Sequence, residues 1–197
     1  EFKDNSRSVQ EHVRNSIVES VDRHMVSDVP VGVFLSGGID SSAVAGLMKE
    51  RGASDLIGVT LSYAEFRGRH EDETPVAAKV AKYYGIKHVV RTVDRKEFED
   101  DLPNILDAMD QPSVDGINSW YATKAVAELG LKVVVSGAGG DELFQGYEHF
   151  RTIPRLSHLA KNLSFFPGGK GLARIFGEVQ ARRTHKDRWR YLSRWMN

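Results

Sequence analysis

The sequence predicts an α/β fold, a doubly wound parallel sheet with helices on both faces. Three observations lead there. Four short strand-like segments occur at Val31–Leu35, Leu56–Leu61, His88–Val93 and Lys132–Val135. Segments with helical periodicity lie between them. Pro30, Gly52, Gly85 and Gly130 punctuate the joins. Strands alternating with helices at these lengths read as βαβ units.

Ser8–Val26 opens the chain as a helix, because Val9, Val13, Ile17, Val21 and Met25 recur every fourth residue. Val31–Leu35 is a continuous apolar run, as suits a strand buried on both faces. Ser41–Arg51 follows as a helix with Ala43, Val44, Leu47 and Met48 on one face, and Gly52 stops it. Leu56–Leu61 is the second strand and Tyr63–Asp72 a polar loop. Glu73–Tyr84 is helical, with Pro75 in the first turn, where no N–H is needed. After the third strand, Lys96–Met109 is largely helical, with Pro103 as the place for a break. Ser119–Leu129 is the last helix before the fourth strand. Further on, Phe165–Gly171 reads as a loop and Leu172–Trp195 as helical. There is no internal repeat.

The 197 residues suffice for one α/β domain with a substantial core. The chain opens on Glu1, so a piece of a longer protein is expected. No apolar run approaches the ~20 residues of a membrane span, and no signal-peptide pattern opens the chain. There is no cysteine, which excludes disulfides, thiolate metal sites and a cysteine nucleophile in this chain. The seven histidines are scattered. A reducing cytoplasm is the expected setting. The net charge of zero conceals an asymmetry: from Arg151 onward there are eleven Lys or Arg and two Asp or Glu, so that block carries +9 and the first 150 residues −9. A surface facing ligand phosphates or another part of the same protein is the preferred reading. Nucleic acid is not the expected partner, because no aromatic stacking module accompanies the charge.

In an open α/β sheet, ligands sit beyond the carboxyl ends of the strands. Leu35-Ser36-Gly37-Gly38-Ile39-Asp40-Ser41-Ser42 occupies that position after the first strand. Glycines let backbone approach a ligand closely, and the following helix aims free N–H groups at the same point. The loop lacks the Gly-Lys-Ser/Thr ending of a Walker A loop and is not a dinucleotide fingerprint. Asp40 would repel a phosphate by about 4 kcal/mol at ~4 Å and an effective dielectric of ~20. A Mg²⁺ ion between them converts repulsion into coordination. The plainer role for Asp40 is to complement the helix dipole, at ~0.3–1 kcal/mol. Ser-Gly-Gly-Ile-Asp-Ser resembles the SGGxDS loop of ATP pyrophosphatases, which cleave ATP between the α and β phosphates. That resemblance implies that Ser36, Gly37, Gly38, Asp40 and Ser41 contact pyrophosphate or its Mg²⁺.

The fourth strand leads into Ser136-Gly137-Ala138-Gly139-Gly140-Asp141-Glu142-Leu143-Phe144-Gln145-Gly146-Tyr147. Glycines so closely spaced suggest close ligand approach. Asp141 suits a second Mg²⁺ ligand, and Glu142 suits either the acceptor or a helix cap. The segment resembles the SGxGxDELFxGY block of the glutamine-dependent asparagine synthetase family. Asp28-Val29-Pro30-Val31-Gly32, Asp72-Glu73 and Asp110-Gln111-Pro112 fit the same family, collinear from about Val21 to Tyr147.

The resemblance implies an adenine nucleotide alpha hydrolase-like fold. Residues 1–150 would form the ATP-pyrophosphatase synthetase domain, and 151–197 a basic helical extension of it, truncated. It implies that ATP is used with Mg²⁺, that main chain at Leu35, Val59 and Leu61 holds adenine, and that Ser136 and Gly137 flank the nucleotide. Val59 and Leu61 read equally well as strand core. Asp110, Asp115, Ala138, Gly139 and Glu142 are the candidates for meeting the acceptor, with Asp110 and Asp115 equally suited to forming turns. The implied reaction adenylates the aspartate side chain, releasing pyrophosphate, and transfers ammonia from glutamine to give asparagine and AMP. Gly37, Gly38, Asp40 and Asp141 would stabilise the departing charge.

The sequence departs from the family pattern in three places. Ala138 stands where these synthetases often carry a Glu with a part in amide formation. Gln111 replaces the Glu of a common Asp-Glu-Pro. No N-terminal cysteine glutaminase precedes the domain, so a glutaminase is expected in another part of the protein or on a partner. A catalytic lysine lies further downstream in the family, and turnover by this chain alone stays open. Other readings keep the adenylation with a sugar, peptide or β-lactam precursor as acceptor, use the basic block for tRNA, or retain nucleotide binding without turnover. A homodimer is left open.

Overall fold

The computed structural model describes residues 6–111, 113 and 115–164. The chain divides into two compact units, Glu1–Ala138 and Gly139–Asn197. The first contains α1 (Ser6–His24), β1 (Val31–Phe34), α2 (Ile39–Glu50), β2 (Ile57–Tyr63), α3 (Thr74–Tyr84), β3 (Lys87–Val93), α4 (Arg95–Ala108), α5 (Gly116–Glu128) and β4 (Val133–Val135). The described part of the second contains α6 (Gly140–Phe144) and α7 (Glu148–Ser164). The expected loop at Phe165–Gly171 and helix at Leu172–Trp195 lie outside the described residues, as does Pro112.

The sheet is parallel throughout, in the order β3-β2-β1-β4. β1 is therefore interior, with β2 on one side and β4 on the other. Strand polarity and a two-residue side-chain period sort the core into two faces. Val33 and Leu35 pack with Val21 of α1, Ala45 and Met48 of α2, and Ala77 and Ala81 of α3. Phe34, Ile57, Val59 and Val134 pack with Ala125 and Val126 of α5. A third cluster joins Val93 to Ile105 of α4 and Tyr121 of α5. The sheet is thus wound on both sides, as expected. The chain winds outward from β1 through β2 to β3, then returns to β1's other flank as β4. That reversal leaves the carboxyl ends of β1 and β4 side by side, where open α/β sheets bind ligands.

Local chemistry explains most of the boundaries. Asp94 caps α4 by accepting the Glu97 N–H at 2.8 Å. Pro75 sits at the start of α3, and Gly85 ends that helix with φ 63°. Beyond shifts of two or three residues at helix ends, three features differ from expectation. α4 runs unbroken through Pro103. That residue is exposed, so water can satisfy the carbonyl that loses its N–H partner. β2 extends through Tyr63, because the full length of β3 pairs with it as far as Tyr63↔Val93. The apolar stripe of α1 is used only at its C-terminal end: Val21 is buried, while Val9 and Val13 are exposed.

Candidate functional site

The first glycine loop is held by its own serines. β1 ends at Phe34, but the Leu35 N–H still donates to the Val59 carbonyl at 2.8 Å. Ser36 Oγ accepts the Gly38 N–H at 3.1 Å, and Ser36 Oγ and Ser41 Oγ lie 2.8 Å apart. Ser41 Oγ also accepts the Ser36 N–H at 3.2 Å. Ser41 is buried, so its hydroxyl ties the loop to the first turn of α2. Gly38 caps α2 without a side-chain hydrogen bond. Nearby, the Ser42 N–H reaches the Gly38 carbonyl at 3.3 Å. The N–H groups of Ile39, Asp40 and Ser41 precede it and have no acceptor within the helix. Together with the helix dipole they favour an anion. Gly37 completes the turn against α3: a Cβ there would stand 3.2 Å from Val76 Cβ.

The first residues of the second glycine loop, Ser136–Ala138, lie against this one. Val135 of β4 pairs with Val33 of β1. Ser136 Oγ then accepts the Ala138 N–H at 3.1 Å, repeating the Ser36–Gly38 turn on the neighbouring strand. Between them, Gly137 lies against the start of α2. A Cβ on Gly137 would stand 2.8 Å from Ser41 N and 2.9 Å from the Asp40 carbonyl carbon. No side chain fits there without moving backbone.

Beside the loops, Leu35, Ser36, Val59 and Leu61 line one cleft of about 430 Å³. Val59 faces β1 with its carbonyl, so the Leu61 N–H, two residues on, faces the same way. β1 has no paired residue left opposite it. The cleft therefore offers a backbone edge whose Leu61 N–H has no acceptor among the described residues, with Val59, Tyr63 and Phe66 as apolar wall and Glu71, Asp72 and Glu73 as polar rim. Tyr63 and Phe66 form its far wall, ring edge to ring face at 6.0 Å. Tyr63 donates to Asn118 Oδ1 at 2.7 Å, and burial pushes its phenol pKa up. Asp72 accepts the Gly68 N–H at 2.9 Å and the Thr74 N–H at 3.1 Å. Those bonds hold its carboxyl below the ordinary range and fix the loop before α3. A second cleft, of about 380 Å³, is lined by Met25, Pro30 and Leu56 at the amino ends of β1 and β2, away from the glycine loops.

The sequence model described as Asparagine synthase matches residues 12–197. The chain belongs to the asparagine synthase family. It is 36% identical over 159 residues to Asparagine synthetase [glutamine-hydrolyzing] 1 of Bacillus subtilis, covering 76% of this chain and 24% of that protein. It is 38% identical over 140 residues to a putative asparagine synthetase [glutamine-hydrolyzing] 2 of Methanocaldococcus jannaschii, covering 70% and 26%. It is 33% identical over 156 residues to Amidase chyE of Penicillium rubens, covering 71% and 23%. The chain spans about a quarter of the length of these relatives.

In this member of the family, the remaining expected residues fall in two places. Asp110 and Asp115 are exposed in the connection between α4 and α5, and neither lines the cleft that holds Leu35 and Leu61. Asp115 precedes α5 without a side-chain cap bond. Gly139, Asp141 and Glu142 belong to the second unit. Gly139 has φ 95° and opens α6. Glu142 accepts the Tyr147 hydroxyl at 2.6 Å, which holds its carboxyl below the usual range. Asp141 is exposed on α6. Among the described residues, no three His, Asp or Glu side chains converge as a metal cage. Asp40 is half-buried in the first turn of α2 and, among the described residues, makes no ion pair. One carboxylate beside a phosphate cradle fits Mg²⁺, which takes the rest of its ligands from phosphate and water. Sequence reasoning missed Thr60, Tyr63, Phe66 and Asn118. Their place in the cleft depends on strand register, and a lone Thr in an apolar strand was the only signal.

Proposed function

We propose that this chain is the ATP-binding, adenylating part of an amide-forming synthetase, with aspartate as acceptor. The observation that carries the reading is the closure of Gly137 on the backbone of Asp40 and Ser41. It sets Gly137 against the first-turn N–H groups of α2 on one flank of β1, and the cleft along Leu35, Val59 and Leu61 opens on the other flank, with Ser36 belonging to both the loop and the cleft.

In this reading, the α2 first-turn N–H groups and the Gly37–Gly38 backbone bind the β and γ phosphates of ATP. Leu35 and Leu61 present main chain to adenine, between Val59 and the Tyr63–Phe66 wall. An oxygen of the aspartate side chain forms a bond to the α phosphorus, and the bond to the β-phosphate oxygen breaks. Pyrophosphate leaves into the preorganised N–H groups, whose orientation precedes the reaction. The ammonia nitrogen then bonds to the acyl carbon. AMP leaves with the former carboxylate oxygen, and the nitrogen loses a proton to solvent. Mg²⁺, when bound, neutralises phosphate charge. Asp40 is the residue proposed to hold it in the first unit, and Asp141 is proposed as a ligand in the second. Ammonia is proposed to come from glutamine hydrolysed by another part of the protein, in the cytoplasm.

A second reading keeps the adenylation and changes the carboxylate acceptor. Ala138 favours it, since a methyl group supplies no acid or base beside Gly137, and the chain is similar to an amidase as well as to synthetases. The test is to supply the full-length protein with ATP, Mg²⁺, ammonia and aspartate. Aspartate-dependent asparagine is the expected product. ATP turnover only with another carboxylate would replace the acceptor and keep the chemistry.

A further inference from the structure

Thr60 is buried in the middle of the sheet at 2% exposure, yet it is polar. Its hydroxyl has two partners from the two neighbouring strands. Thr60 Oγ1 lies 2.5 Å from the Leu35 carbonyl oxygen and 2.7 Å from His88 Nε2. A carbonyl can only accept, so the single hydroxyl proton goes to Leu35. Thr60 Oγ1 must then accept from His88, which places a proton on His88 Nε2. Burial disfavours the imidazolium and lowers the His88 pKa, in keeping with a neutral ring carrying that one proton.

The register makes the contact. Gly58 pairs with His88 and Thr60 with Val90, so Thr60 and His88 are diagonal neighbours on one face of the sheet. Gly58 keeps that face open: a Cβ there would stand 3.1 Å from Ile86 Cγ2 and 3.3 Å from Leu35 Cδ2. Donors therefore run from β3 through β2 to the Leu35 carbonyl, immediately ahead of Ser36-Gly37-Gly38. At this point β1 has left the ladder, and a side chain takes the place of a strand partner.

We propose that Thr60 and His88 are positioning residues: their donor chain fixes the Leu35 carbonyl, and so the entry of the glycine loop and the edge that meets the purine. The proposal rests on the nucleotide reading above. Neither side chain touches the reacting phosphates, so the effect falls on ATP binding rather than on the chemical step.

The test uses the full-length protein. Thr60→Val keeps the shape and removes the hydroxyl; Thr60→Ser keeps the hydroxyl. His88→Leu removes the donor; His88→Gln keeps one near the Nε2 position. T60V and H88L are expected to raise KM for ATP about 10-fold, the scale of one lost hydrogen bond, with kcat within twofold. T60S and H88Q are expected to stay within threefold of wild type in KM. Nitrogen chemical shifts of His88 in the wild-type protein are expected to report the Nε2–H tautomer and to move on ATP addition. An unchanged KM in T60V, or an Nδ1–H tautomer, overturns the proposal while leaving nucleotide binding intact. If T60V does not fold, His88 shifts that ignore saturating ATP overturn it. Wild-type protein that binds no ATP overturns both this proposal and the functional reading.

Discussion

Gly137 and Ser41 meet backbone to backbone: a Cβ on Gly137 would stand 2.8 Å from the Ser41 nitrogen. Those atoms belong to loops that follow different strands, almost a hundred residues apart in sequence. Gly137→Ala must push the two loops apart. Overpacking of this kind costs about 1–3 kcal/mol, and the N–H groups of α2 lose their setting. The expected result is a lower melting temperature and at least a tenfold loss of ATP affinity by calorimetry. Wild-type affinity in G137A would remove the loop junction from the site.

Asp40→Asn should separate metal from fold. The carboxylate has no ion pair among the described residues, so only its interaction with the helix dipole is lost, about 0.3–1 kcal/mol. ATP binding by the wild-type protein should strengthen on adding Mg²⁺, and in D40N that gain should shrink about tenfold. Equal Mg²⁺ dependence in both proteins would take Asp40 out of the metal role.

Acid stability should depend on Glu97. Arg91 bonds it bidentately, and Lys124 Nζ lies 2.7 Å away, bridging on to Asp101 at 2.6 Å. These partners, Arg91 foremost, hold the Glu97 carboxyl at about 2, against an ordinary 4.5. The folded state thus binds the proton less readily than the unfolded chain. The contribution is complete above about pH 4.5 and is lost as pH falls through about 2. The side chain is 24% exposed, and Arg91 and Lys124 keep Glu128 and Asp101 as partners. Glu97→Gln is therefore expected to cost about 1–3 kcal/mol at pH 7, measured by urea unfolding. The difference from wild type should narrow at pH 3. A constant difference across that range would contradict the assignment.

The sheet was legible because its signals are local. Val31–Leu35 and Val133–Val135 are apolar on both faces, and Gly85 and Pro75 mark helix ends by backbone chemistry alone. The glycine loops were legible for the same reason. What escaped depends on pairing. Thr60 and His88 are 28 residues apart and meet only once β2 and β3 take their register. Tyr63 reads as loop until its pairing with Val93 is known. Pro103 argued for a break, yet an exposed helix surface lets water replace the missing bond. Asn118 and Ala122 line the cleft beside α5, and nothing local in the sequence marks them.

The most direct test of the central claim follows an oxygen atom. The full-length protein would be given ATP, Mg²⁺, ammonia and aspartate labelled with ¹⁸O in its side-chain carboxylate. Adenylation predicts AMP and pyrophosphate as products, with one ¹⁸O in the AMP phosphate. ADP with ¹⁸O in inorganic phosphate would mean attack at the γ phosphorus, and would contradict the assignment of the glycine loop to a departing pyrophosphate.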